Sequence, residues 1–166
     1  MKEEQFKILK IMTEATSKID LHVLSEAIGS TPNETINAVQ VLADQGFLGK
    51  VGHGYGVSEK GKTALKARVE IPAEMSFIFF NGISQPTGFS AKSIAEFYNA
   101  LVQANAESLE FHLYRGDFGN WFKEVLKDHE VTDELDRLKT EGLKGEELRA
   151  RLLKELDAKF GLNRLI

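Results

Sequence analysis

The stretch between Asp20 and Lys60 constrains this chain most, because its punctuation admits one order of elements: a helix, a sharp turn, a second helix and a glycine-rich hairpin. Leu21, Leu24, Ala27 and Ile28 recur at helical spacing after Asp20, whose short carboxylate suits the free amides of a helix start. Gly29 stops that helix. Thr31-Pro32-Asn33-Glu34 opens the next one, with a threonine cap, a proline where no amide is needed and a glutamate placed to close a capping box. Ile36, Val39, Leu42 and Ala43 then form the expected buried stripe of a helix ending at Gly46. Two short runs, Phe47 to Val51 and Tyr55 to Ser58, flank Gly52-His53-Gly54 as a tight hairpin requires.

The segments LSEAIG, TINAVQVLADQGFL and GYGVSEKGKTAL resemble the winged helix-turn-helix domains of prokaryotic transcriptional regulators. Leu42 and Gly46 close the second helix of the pair, Phe47 starts the wing, and the Tyr-x-Val-Ser-x-x-Gly run from Tyr55 leads out of it. The resemblance implies a fold of three to four helices plus a small β-hairpin wing over residues 1–69, and a protein that binds double-stranded DNA. It also implies that the helix from Asn33 to Gln45 enters a major groove. Asn33, Asn37 and Gln40 are then the base-reading candidates, since Asn and Gln amides match the adenine edge. Lys50 and His53 on the wing, with Lys60 and Lys62 after it, are the candidates for the DNA backbone.

Charge argues on both sides of that expectation. No lysine or arginine occurs between Thr31 and Gly49, while Glu34 and Asp44 lie on the would-be reading helix and repel phosphate. Residues 1–70 carry nine basic and nine acidic side chains, and the net charge of -4 resides wholly in residues 71–166. The alternative is therefore a protein–protein interaction module that keeps the winged-helix scaffold without reading DNA sequence.

Ahead of this stretch, Glu3 to Ala15 reads as a helix buried through Phe6, Ile8, Leu9, Ile11 and Met12. After it, Glu59 to Arg68 reads as a fourth helix with Ala64, Leu65 and Val69 inward. Pro72 and its neighbours mark a boundary, and a second, helical domain is expected over 75–166. It opens on one short extended segment, Met75 to Phe80, followed by a loop from Asn81 to Gly88. Ser90 is the expected cap of a helix whose stripe is Ile94, Phe97, Tyr98, Leu101 and Val102.

The most distinctive later segment is SLEFHLYRGDFGNWF, from Ser108 to Phe122. Its alternation suits a strand, but its Leu109, His112, Leu113 spacing suits a helix ending at Gly116. The Ser-x-x-aromatic-His and Asp-Phe-x-x-Trp patterns resemble an uncharacterised prokaryotic domain family of unknown function, and that resemblance implies consecutive helices. Two chemical readings follow. In one, His112, Arg115 and Trp121 line a small-ligand pocket in which His and Arg grip an anion; in the other, His112 is a hydrogen-bonded core residue, Asp117 a helix cap and Trp121 a packing anchor, and this second reading is preferred. Asp128-His129-Glu130 lacks a partner at metal-ligand spacing, so no metal is expected. Thr132 is the expected cap of a helix with Leu135 and Leu138 inward, and Glu146 to Phe160 a last helix with Leu148, Leu152, Leu153 and Leu156 as its stripe.

The absence of cysteine removes disulfides, thiolate metal sites and a cysteine nucleophile. No phosphate loop, nucleophile elbow or paired-carboxylate site is present, so neither an enzyme nor a cofactor is expected. The charged opening MKEEQFKILK is unlike a secretory signal, and no run of apolar residues is long enough to span a membrane, so a cytoplasmic protein is expected. Spare apolar stripes in the first and last helices suggest a homodimer, with a protein partner as the alternative occupant.

Overall fold

A computed structural model describes residues 1–162 of the chain. Among these residues the protein is mainly helical, with nine α-helices and two separate two-stranded antiparallel sheets. None of the helices is long and apolar enough to cross a membrane. The described residues divide into two compact units, one of residues 1–67 joined by 159–162, the other of residues 68–158. The second domain is expected to run to residue 166, and its last four positions lie outside the described residues.

The first unit contains α1 (Glu3–Glu14), α2 (Leu21–Ile28), α3 (Pro32–Asp44), the hairpin β1 (Leu48–Val51) and β2 (Gly54–Val57), and α4 (Glu59–Lys66). Local chemistry fixes each start. The Asp20 carboxylate accepts from the His22 amide at 2.8 Å, and Thr31 and Glu34 form a reciprocal capping box. Gly29 ends α2 in the left-handed conformation, φ 72°, which lets the chain turn directly into α3. Ile8, Leu9, Leu24, Ala38, Leu42, Phe47, Leu48 and Ala64 form the core, so α1 packs across α2, α3 and the hairpin.

The hairpin is riveted to the helices on either side. Ser58 caps α4 through the Gly61 amide, donates its hydroxyl to the Gly46 carbonyl at 2.6 Å and donates its amide to the Phe47 carbonyl at 3.0 Å. A Cβ on Gly61 would lie 2.4 Å from the Phe47 carbonyl oxygen and 2.7 Å from a Val57 methyl, so only glycine lets α4 approach this closely. That close approach is the physical reason for the serine and glycine in the exit motif. Two expected core residues lie outside the core: Ile36 is 48% exposed and Val69, beyond the end of α4, is 62% exposed. In α3 the inward positions belong to Thr35 and Ala38 instead, which rotates the helix so that Ile36 faces water.

The second unit begins with a single 3-10 turn, Ala73–Met75, and a hairpin of β3 (Phe77–Gly82) and β4 (Gln85–Ala91). Helices α5 (Ile94–Gln103), α6 (Ala106–Arg115), α7 (Asp117–Glu124), α8 (His129–Glu141) and α9 (Gly145–Phe160) follow. Phe77, Phe79, Phe97, Phe118, Trp121 and Phe122 build an aromatic core, with the Phe97 and Trp121 rings stacked at 5.2 Å and most other pairs edge to face. Arg149 of α9 donates to the carbonyls of Leu101 and Val102 at the end of α5, satisfying orphan helix-end acceptors.

Several expectations for this unit are corrected. The single extended segment is one arm of a hairpin, because the expected loop after Asn81 pairs back on β3 with two register irregularities that accommodate Pro86 and Gly88. Ser90 therefore lies within β4, and Ser93 caps α5 by accepting from the Glu96 amide at 3.1 Å. The segment from Ser108 to Arg115 is helical. Ser108 is not its cap; the helix starts earlier, after Asn105, and Ser108 is wholly buried. Gly116 holds the cap position of α7, which frees the Asp117 carboxylate for a side-chain partner. Asp128 caps α8 through the Val131 amide, leaving Thr132 inside the helix, where it donates back to the Asp128 carbonyl.

Candidate functional site

Two places concentrate the residues singled out in the sequence, one in each unit. In the first unit, Asn33, Asn37 and Gln40 are exposed along one side of α3. Asn33 and Asn37 stand one turn apart with their amides open to solvent, whereas Gln40 donates its amide to Asp44 at 2.7 Å. Glu34 is committed to the capping box, and the hydrogen bonds from Thr31 and Ser30 hold its carboxyl below the usual range.

The basic candidates sort into two kinds. Lys50, on β1, and His53, in the turn of the hairpin, are exposed. Lys60 is occupied: its ammonium donates to the Gln45 carbonyl at 2.8 Å and sits 4.6 Å from the Phe47 ring centre, tying α4 to the end of α3. Lys62 pairs with Glu59 at 2.7 Å. Sequence reasoning missed Lys18, whose stem lies within 3.5 Å of where a Gly54 Cβ would stand, beside the hairpin turn. Only the tertiary fold brings that connecting loop to the hairpin. Among the described residues neither Lys18 nor Lys50 has an acidic partner.

In the second unit, α6 and α7 hold β3 by its backbone. Ser108 Oγ donates to the Phe80 carbonyl at 2.7 Å, and one helical turn later His112 Nε2 accepts from the Phe80 amide at 2.8 Å. Both backbone groups of one strand residue are thus satisfied by two side chains of one helix. Because Nε2 accepts, the ring proton resides on Nδ1, which donates to Asp117 Oδ2 at 2.8 Å. His112 is 3% exposed, and burial holds its imidazole below the usual range against the opposing pull of Asp117. A neutral histidine with both nitrogens engaged is a strand clamp. It has no lone pair left for a ligand or a proton transfer. Trp121 does similar work further back, donating its indole N–H to the Met75 carbonyl at 2.9 Å.

Beside this clamp lies an open cleft of about 540 Å³. Phe77, Phe80, Phe111 and Trp121 supply its aromatic surface, and Ile78 and Ile83 its aliphatic rim. Arg115 is its cation. The guanidinium rests 4.6 Å from the Phe111 ring centre and reaches Asp117 only through Nε at 3.6 Å. No group of His, Asp and Glu among the described residues is arranged to hold a metal ion. His129 is exposed and Asp128 is spent on its cap.

No family model, no curated protein and no solved structure matches this chain, so the functional reading rests on geometry and chemistry.

Proposed function

We propose that the first unit is a winged helix-turn-helix that binds double-stranded DNA, with α3 as the reading helix and the β1–β2 hairpin as the wing. The observation that carries this is the pairing of an exposed amide face on α3, Asn33 and Asn37, with the lysines Lys50 and Lys18 and the exposed His53 on and beside the hairpin. Amides can read adenine edges, and the two lysines supply the phosphate contacts that α3 lacks. Lys60 and Lys62 contribute less, since each already has a partner. The reading includes a two-fold homodimer, because paired half-sites raise the affinity of a weakly basic module.

Fluorescence anisotropy with duplex genomic fragments at low salt tests it. Wild-type protein should bind, with affinity falling steeply as salt rises. Lys18→Glu with Lys50→Glu should reduce the salt slope by about one unit for each phosphate that the protein no longer neutralises. Light scattering should return twice 18.5 kDa. Absence of wild-type binding to any fragment removes the reading.

A second reading, a protein-interaction module on the same scaffold, is favoured by a specific feature of α3. Ile36 and Val41 are 48% and 39% exposed on a helix that also carries Glu34 and Asp44. Ile36→Ser should leave DNA binding intact in the first reading and abolish partner capture in the second.

A further inference from the structure

We propose that the cleft between the β3–β4 hairpin and helices α6 and α7 binds a small aromatic monocarboxylate, its ring against Phe77, Phe80 and Trp121 and its carboxylate on the Arg115 guanidinium. The proposal stands independently of DNA binding.

The size and surface of the cleft point to a small molecule. At about 540 Å³ it falls within the range of roughly 300–1,000 Å³ usual for ligand sites. Its lining is mainly apolar, and Arg115 and Asp117 are the charged groups in it. Flat aromatic walls set edge to face favour a flat aromatic guest over a branched aliphatic one.

The charge in the lining selects the anion. The Arg115 guanidinium lies over the Phe111 ring, 4.6 Å from its centre, and its side chain remains 52% exposed. Its only carboxylate partner among the described residues is Asp117, reached through Nε at 3.6 Å, so the terminal amino groups keep their donors for a second, bidentate acceptor. Arg115 and Asp117 together carry no net charge, so a monocarboxylate brings the site to one net negative charge and a phosphate dianion to two; beside Asp117 the smaller charge costs less repulsion. His112 adds nothing to the grip, because both its ring nitrogens are engaged; its part is to hold Phe80 and Asp117 in place.

Trp121 is the only tryptophan of the chain and lines the cleft, so it reports occupancy directly. The experiment titrates the full chain with 3-phenylpropanoate, 3-phenylpropanamide and acetate, following tryptophan emission and the indole N–H resonance. The expected result is a saturable change with 3-phenylpropanoate and a response to the amide or to acetate weaker by about tenfold or more, the discrimination a charged hydrogen-bonding pair confers. Arg115→Gln should erase the preference for carboxylate over amide while leaving the amide response in place. Ile78→Asp, a change at a half-exposed rim position, should weaken the carboxylate selectively.

Equal binding of acid and amide by the wild type would overturn the proposal, as would an Arg115→Gln protein that retains the preference. So would a wild-type signal that never saturates. Emission that shifts with protein concentration alone would assign the cleft to a second copy of the chain, which also overturns it.

Discussion

His112 illustrates how a residue with catalytic chemistry is turned to structural use by its neighbours. The Phe80 amide demands an acceptor at Nε2, and burial opposes charge on the ring, so the folded protein holds this histidine neutral. The unfolded chain has no such constraint and takes up a proton as pH falls through about 6.5. Below that pH the unfolded state binds more protons than the folded one, and stability is lost as pH falls toward the lower folded value. We expect the wild-type melting temperature to drop between neutral pH and pH about 5 more steeply than that of His112→Gln. Parallel pH profiles for the two proteins would show that His112 does not carry the dependence. The histidine was legible in the sequence as a core residue with hydrogen bonds, but its partners were not, since Phe80 is remote in the chain and the Ser108 and His112 spacing does not say which strand it serves.

At the scale of elements, the second unit depends on side chains for bonds that a longer sheet would make with another strand. β3 has one strand partner, β4; toward α6, Ser108 and His112 satisfy Phe80, and Trp121 secures Met75. Trp121→Ala removes both a large core ring and that anchor and should destabilise the protein by about 3–5 kcal/mol. Ser108→Ala leaves a buried carbonyl without its donor and should cost about 1–3 kcal/mol. Denaturant melts of both variants check the order, and a Trp121→Ala protein as stable as wild type would refute the anchoring role. The same arrangement explains what local reading missed. Helices announce themselves by spacing, and α5, α8 and α9 were legible from their apolar stripes, whereas α7 was expected only from a resemblance. β4 was not, because Pro86, Gly88 and its polar neighbours read as loop, and only pairing with a distant strand makes them extended. Caps slipped for a related reason: the Ser108 hydroxyl is committed to donating to the remote Phe80 carbonyl rather than accepting from a local helix-start amide.

For the whole molecule, the first unit is discontinuous in sequence, since among the described residues 159–162 belong with 1–67. Gly161 shows why its chemistry is particular: with φ 65°, it lies so close to the Phe47 ring that a Cβ would overlap the ring edge. Phe160 and Leu162, on either side, are almost wholly buried. Removing everything after Ala158 should therefore weaken the first unit by about 3 kcal/mol or more, the cost of losing large buried side chains. Hydrogen exchange read separately over α1–α3 and α5–α7 assigns the loss, and faster exchange confined to α5–α7 would contradict the assignment. A sequence-only boundary after the fourth helix had no means of finding this return, because a single apolar turn at the end of a charged helix carries no local mark of the ring it meets.

The return of the chain to Phe47 also sets an order in time. A ribosome delivers the first sixty-seven residues early, but the glycine that fits against Phe47 comes only after the whole second unit has been made. At about 5–20 residues per second, the roughly ninety intervening residues occupy on the order of ten seconds. Throughout that interval the nascent first unit carries Phe47 without its last neighbour, and completes itself only when synthesis has passed residue 161.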